Sequence, residues 1–304
     1  MLLRKWFGRV AGAFAGLGLI GAAPAPAPVA HVAAPTLAHP ALWKVADADT
    51  TIYLFGTIHA LPDAVKWRTP AFDKAFGSAG ELMIEVGNID DQQAVAGELM
   101  KVGLAPGLPP LVERVPAAKR PALEAAIARS GVPAVAFDRM KSWMAAVILL
   151  NVTMKEIGLD AEKGAERDLV AQWKEKGGKV EGFETAAQQF GFLDSVSQDG
   201  QNKFLEAAAD NPAEAKTQFA AMLKAWEAGD VAGIAATFDD ETQMSAELRD
   251  VLMKKRNARW TEWLSARMAK PGTVFVAVGA GHLAGQDSVI AMLKARGLKA
   301  VRIQ

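Results

Sequence analysis

Two short apolar runs near opposite ends of the chain share one design. Thr51–Pro62 reads TIYLFGTIHALP and Thr273–Gly285 reads TVFVAVGAGHLAG; each breaks at a glycine, Gly56 or Gly279, and shows a histidine three places on, His59 or His282. Such near-continuous β-prone runs suit strands buried on both faces. The glycine permits a sharp exit that turns the histidine toward the carboxyl edge of the sheet, where open α/β sheets bind ligands. The pattern therefore predicts an α/β fold in which distant segments bring His59 and His282 to one rim.

Between these runs the chain alternates short strands with long helical tracts. ALWKV, an Asp47–Asp49 turn and the strand leading to Gly56 predict a β-hairpin. Glu81–Val86 (ELMIEV) and Lys179–Phe183 (KVEGF) read as further strands, with Glu85 near the end of the first and Glu184 just after the second. Residues 90–176 and 186–268 are mostly helical, one segment being stopped by Gly177-Gly178. The last stretch predicts a strand to Val278, a helix over Gln286–Ala295 and a strand over Lys299–Ile303. The expected architecture is a mixed central sheet flanked by helices, with a large helical insertion.

Residues 1–34 differ from the rest. Arg4, Lys5 and Arg9 precede the apolar, Gly/Ala-rich run Val10–Ala23, and small residues follow, which is the layout of an export signal or an uncleaved N-terminal membrane anchor. Ala/Pro-rich spacer begins within this stretch and continues as a linker through residues 35–40, and the folded unit spans 41–304. The chain carries 34 basic and 34 acidic residues, so removing the three basic residues of the leader leaves a net charge of −3. That balance argues against a nucleic-acid partner. The absence of cysteine rules out disulfides, thiolate ligands and a cysteine nucleophile, and periplasmic or secreted residence tolerates it.

Four residues fall at or just beyond strand ends: His59, Glu85, Glu184 and His282. Two imidazoles and one or two carboxylates form a donor set suited to a divalent ion such as manganese, cobalt or zinc. For each histidine the alternative is a buried ring bonded to backbone; for Glu85, a salt-bridged strand residue; for Glu184, a carboxylate just before a helix capped by Thr185. Lys254-Lys255-Arg256-Asn257 supplies a fixed cation and an amide on a helix, which either steady an anionic intermediate or form a solvated basic face. Trp226, Trp260 and Trp263 read as core or groove lining. Gly279-Ala-Gly281-His-Leu-Ala284 matches a dinucleotide fingerprint in form, but no carboxylate follows at the distance a ribose contact requires. There is no nucleophile elbow, so hydrolysis would use water activated by a metal or a carboxylate.

ALWKV, TIYLFGTIHALP, ELMIEVGN, KVEGFETAAQQF, AWEAGD, KKRNARW and VFVAVGAGHLAGQDSVIAMLKARGLKAVRIQ, in this order, resemble the TraB/GumN family, which includes PrgY-like proteins and is related to the Tiki proteases. The resemblance covers residues 41–304. It implies an erythromycin-esterase/ChaN-like α/β core and metal-dependent hydrolysis of a peptide or other small envelope substrate. Carried over motif by motif, His59, Glu184 and His282 would hold the ion, Glu85 would act as general base, Arg256 would stabilise the oxyanion and Asn257 would contact substrate. Where relatives often read G-x-D, this chain has Gly164-Ala165-Glu166, so Glu166 either joins the site or caps a helix. A second function remains open: a non-enzymatic envelope protein that binds a peptide, a haem-like ligand or a glycan precursor.

Overall fold

The computed structural model describes residues 37–62, 65–87, 91–159, 163–209, 211–238 and 244–304. The expected export signal over residues 1–34 lies outside them. Strands β1 (Leu42–Ala46) and β2 (Thr50–Thr57) form the expected antiparallel hairpin. Asp47 closes it, its Oδ1 accepting the Thr50 N–H at 2.8 Å. Helix α1 (Pro70–Ser78) starts on Thr69, whose hydroxyl accepts the Phe72 N–H, with Pro70 in the first turn where its missing donor costs nothing.

After β3 (Glu81–Val86) the chain enters the helices α2 (Gln92–Gly103), α3 (Arg120–Ser130), α4 (Ser142–Glu156) and α5 (Ala165–Glu175) before returning as β4 (Val180–Glu184). A second helical excursion follows: α6 (Ala186–Asp194), α7 (Gln198–Ala208), α8 (Pro212–Glu227), α9 (Val231–Phe238) and α10 (Lys255–Arg267). The chain closes with β5 (Gly272–Gly279), α11 (Val289–Ala295) and the two-residue β6 (Val301–Arg302). The last strand is shorter than expected because only Val301 and Arg302 pair with β1.

The six strands form one sheet in the order β4-β3-β5-β2-β1-β6. The four strands β4, β3, β5 and β2 run parallel, with Gly56 opposite Val278 and Thr57 opposite Gly279. Side chains of β5 divide cleanly between the faces, as strand geometry requires. Phe275 and Ala277 join the core that includes Phe55, Phe72, Trp143 and Trp226, whereas Val274, Val276 and Val278 pack with Trp260 and Leu264 of α10 and Leu293 of α11. Helices therefore cover both faces, and the carboxyl ends of four adjacent strands share one rim. Among the described residues no helix is long and apolar enough to cross a membrane.

Candidate functional site

Gly56 and Gly279 do not use left-handed backbone conformations; neither is among the glycines of positive φ. Their role is close approach. A Cβ at Gly56 would lie 2.9 Å from the Cα of Ala280, so its absence lets the 3-10 turn Ala280–Leu283 seat against β2. Trp226, from AWEAGD, clamps the same point by donating its indole N–H to the Gly56 carbonyl at 2.8 Å. At Gly279 the close neighbours are side chains. A Cβ there would meet Glu85 Oε1 at 3.1 Å, His59 Nε2 at 3.5 Å and His282 Cδ2 at 3.6 Å. The two motif histidines and Glu85 thus converge on one glycine at the carboxyl end of β5.

Arg256 forms the buried centre of this cluster. Its Nε donates to both oxygens of Glu184, at 3.1 and 2.9 Å, and its Nη2 donates to Glu85 Oε2 at 2.7 Å. Nη1 donates to the Leu252 carbonyl at 3.0 Å and faces His282 Nε2 at 3.2 Å. The π-helical turn Asp250–Lys254 immediately before α10 presents the Leu252 carbonyl to this side chain; such turns recur at functional sites. Trp260, one turn further along α10, lies against the guanidinium, 4.7 Å from its carbon, and donates its indole N–H to Glu184 Oε1 at 3.0 Å. Gln189 of α6 donates weakly to Glu85 and Glu184, at 3.4 Å each.

The histidines are held in opposite states. Asn257 donates to the Asp287 carbonyl, which leaves its own Oδ1 to accept from His282 Nδ1 at 2.6 Å. That bond fixes the His282 tautomer, with the Nε2 lone pair toward Arg256. Burial, together with the charges of Arg256 and His59, outweighs the pull of Glu85 and lowers the His282 pKa to about 3, so this ring is neutral. His59 is partly exposed, with 40% of its side chain accessible, and its Nδ1 lies 3.3 Å from Glu166 Oε2 in an ion-pair contact rather than an aligned hydrogen bond. Burial opposes its charge, but Glu166 and Glu85 prevail and raise its pKa to about 9. Glu85 is pushed the other way: burial favours the neutral acid, yet the charges of Arg256 and His59 and the Gly279 N–H, which donates at 2.6 Å, hold it well below the usual carboxylate range.

The structure brings together all six residues singled out in the sequence, but in partnerships the sequence did not specify. Glu184, expected as an ion ligand, has its oxygens engaged by Arg256 and Trp260. Arg256, expected to meet an oxyanion, is buried with its donors turned inward, and Asn257, expected to contact substrate, orients His282. Glu166 joins the site as the partner of His59. For a divalent ion the donor chemistry of His59, Glu184 and His282 is suitable, but their arrangement is not. A guanidinium already occupies the space beside His282 Nε2 and between the carboxylates, and among the described residues no group of three His, Asp or Glu side chains is arranged to hold a metal. Of the two outcomes open for Glu166, the structure gives the first; Gln189 escaped sequence reasoning, hidden directly after the capping box of Thr185 and Gln188.

A mixed sheet whose four parallel strands carry, at their carboxyl rim, an alternating set of acid and base side chains defines an α/β protein with a polar centre at its strand ends. The chain belongs to the TraB/PrgY/gumN family, whose model matches residues 41–302. It is also similar to an uncharacterized protein of Treponema pallidum (strain Nichols), at 21% identity over 276 residues, covering 84% of this chain and 80% of that one. No solved structure matches.

Proposed function

We propose that this protein is a hydrolase of acyl bonds, in a peptide or an ester, that works by acid–base catalysis at the Gly279 slot. The observation that carries this reading is the convergence of His59 Nε2 and Glu85 Oε1 on the space left by the missing Gly279 side chain. The environments of these two groups push their pKa values apart, so that near neutral pH one carries a proton and the other lacks one. A water in the slot gives a proton to Glu85 as its oxygen bonds to the acyl carbon. His59, the group open to solvent, protonates the leaving atom as the old bond breaks. The proton on Glu85 then returns to His59. Glu166 orients and charges the His59 ring, Arg256 keeps Glu85 ionised, and neutral His282 walls the slot.

No step is routed through a metal. The sheet with its helical excursions supports the erythromycin-esterase/ChaN-like arrangement, and the basic-then-apolar layout of residues 1–34 supports placing the enzyme in the cell envelope.

The test uses purified protein with quenched fluorescent peptides and an activated ester as probes. Hydrolysis is expected to survive chelator and to fall by roughly 10²–10⁴-fold in His59→Gln. Activity that requires added manganese, cobalt or zinc, or that is unchanged in His59→Gln, would overturn the reading, as would inertness toward every probe. The pH profile gives a second check. An acid with a pKa of about 9 holds its proton below that value, so kcat/KM should fall as pH rises through about 9. The same shift affects stability with a defined sign. The contribution of charged His59 is complete below its ordinary value of 6.5 and is lost as pH rises through about 9. In Glu166→Gln both transitions should move to lower pH.

A further inference from the structure

The charges along the rim alternate: Glu166, His59, Glu85, Arg256, Glu184 and finally Arg259. Glu85, Arg256 and Glu184 each make several hydrogen bonds, but Arg259 does not. Arg259 of α10 has 47% of its side chain accessible and makes one weak contact, 3.4 Å from its Nη2 to Glu184 Oε1. That oxygen already accepts from Arg256 and Trp260. The guanidinium is nevertheless held in place, because its carbon lies 4.5 Å from the centre of the Phe192 ring on α6. Neighbouring lysines are otherwise engaged: Lys255 pairs with Asp250 at 2.7 Å and Lys254 with Asp287 at 3.7 Å. A guanidinium held by an aromatic ring, half exposed and with a single weak hydrogen bond, beside a buried acid–base cluster, is preorganised for a planar two-oxygen anion. With Glu184 directly behind it, the local field suits a single negative charge, a carboxylate, better than a phosphate dianion.

We propose that Arg259 is a specificity-determining residue that binds a carboxylate of the substrate, either a chain terminus or an acidic side chain. The inference rests on the rim being the substrate face. Glu184 ends β4, and Gly279 ends β5 two strand positions away. At about 4.8 Å per strand interval the gap is roughly 10 Å. An extended peptide advances about 3.3 Å per residue, so the anion recognised lies about three residues from the bond that reacts.

The probes are N-acetyl-tetra-alanine as the free acid and as its C-terminal amide, titrated against the full chain by calorimetry. Binding is read in both the unsubstituted protein and His59→Gln, so the result does not depend on hydrolysis. The free acid is expected to bind at least tenfold more tightly than the amide in both. Arg259→Gln should abolish that preference and Arg259→Lys should restore part of it, with unchanged melting temperatures because the position is exposed. Equal binding of acid and amide, no binding of either, or a preference that persists in Arg259→Gln overturns the proposal. If every substrate probe stays intact while the acid preference is present and depends on Arg259, the carboxylate site stands and the hydrolytic reading falls.

Discussion

Arg256→Met is expected to lower stability by about 3–5 kcal/mol, because breaking one side of a buried ion-pair cluster strands the charges that remain. Here two carboxylates are stranded. Glu85 and Glu184 are both buried, and Arg256 is the cation they share. Burial alone would drive protons off Arg256, but Glu85 and Glu184 overcome it and raise its pKa, so the guanidinium remains charged. The measurement is the urea midpoint of the variant against the unsubstituted protein. Adding Glu85→Gln and Glu184→Gln to Arg256→Met should recover part of the loss, since neutral amides do not repel. The acid dependence also has a fixed sign. Glu85 has a depressed folded pKa, so its contribution is present above its ordinary value of 4.5 and is lost as pH falls through the folded value. In Arg256→Met that depression shrinks, and the deficit should narrow on acidification. A loss below about 1 kcal/mol, the range of an exposed pair, would show that the cluster does not hold the rim together.

Gly164→Ala is expected to damage both stability and activity without touching an ionisable group. Gly164 lies against the backbone of His59: an added Cβ would overlap the His59 carbonyl oxygen and lie 2.7 Å from its carbon. Neither neighbour is the flexible end of a side chain. The next residue, Ala165, donates its N–H to the Ile58 carbonyl at 3.0 Å, so the same short stretch fixes the loop from both sides. Forcing them apart should cost about 1–3 kcal/mol, the usual range for overpacking. It should also carry His59 away from Glu166 and the Gly279 slot, and a displacement of about 1 Å at such a group can cost about 10²-fold in rate. The melting temperature and kcat/KM of Gly164→Ala, measured beside Glu166→Gln, check this. A Gly164→Ala protein with unchanged values would mean that the contact between α5 and the His59 loop is dispensable.

The frame of this molecule was legible because its signals are local. The hairpin through Trp43 and Ile52, the strand over Glu81–Val86 and the long apolar helix around Trp143–Val152 each follow from a few neighbouring residues. The rim was legible for a related reason. Strands that begin and end in recognisable places deliver His59, Glu85, Glu184 and His282 to the same edge whatever their partners are. Partner choice was not legible, because it depends on distances set by helix placement. Nothing in ELMIEV states that Glu85 will face a guanidinium on α10, and nothing in KKRNARW distinguishes the inward Arg256 from the outward Arg259. The expected ion set is an instance: ELMIEV and KVEGFE carry no sign that a basic residue from a distant helix reaches both carboxylates. The glycines illustrate the same limit. A turn was expected at Gly56 and Gly279, whereas their value lies in what a side chain would have struck.

Strand β5, which carries Gly279 and leads to His282, is inserted between β3 and β2 rather than added at an edge. During synthesis, His59 and both carboxylates exist long before the strand that joins the two halves of the sheet, and Arg256 only shortly before it. Closing so long a loop adds only a slowly growing entropic cost, so the late insertion is thermodynamically tolerable. Its effect is temporal: the rim of a growing polypeptide is incomplete until β5 has emerged.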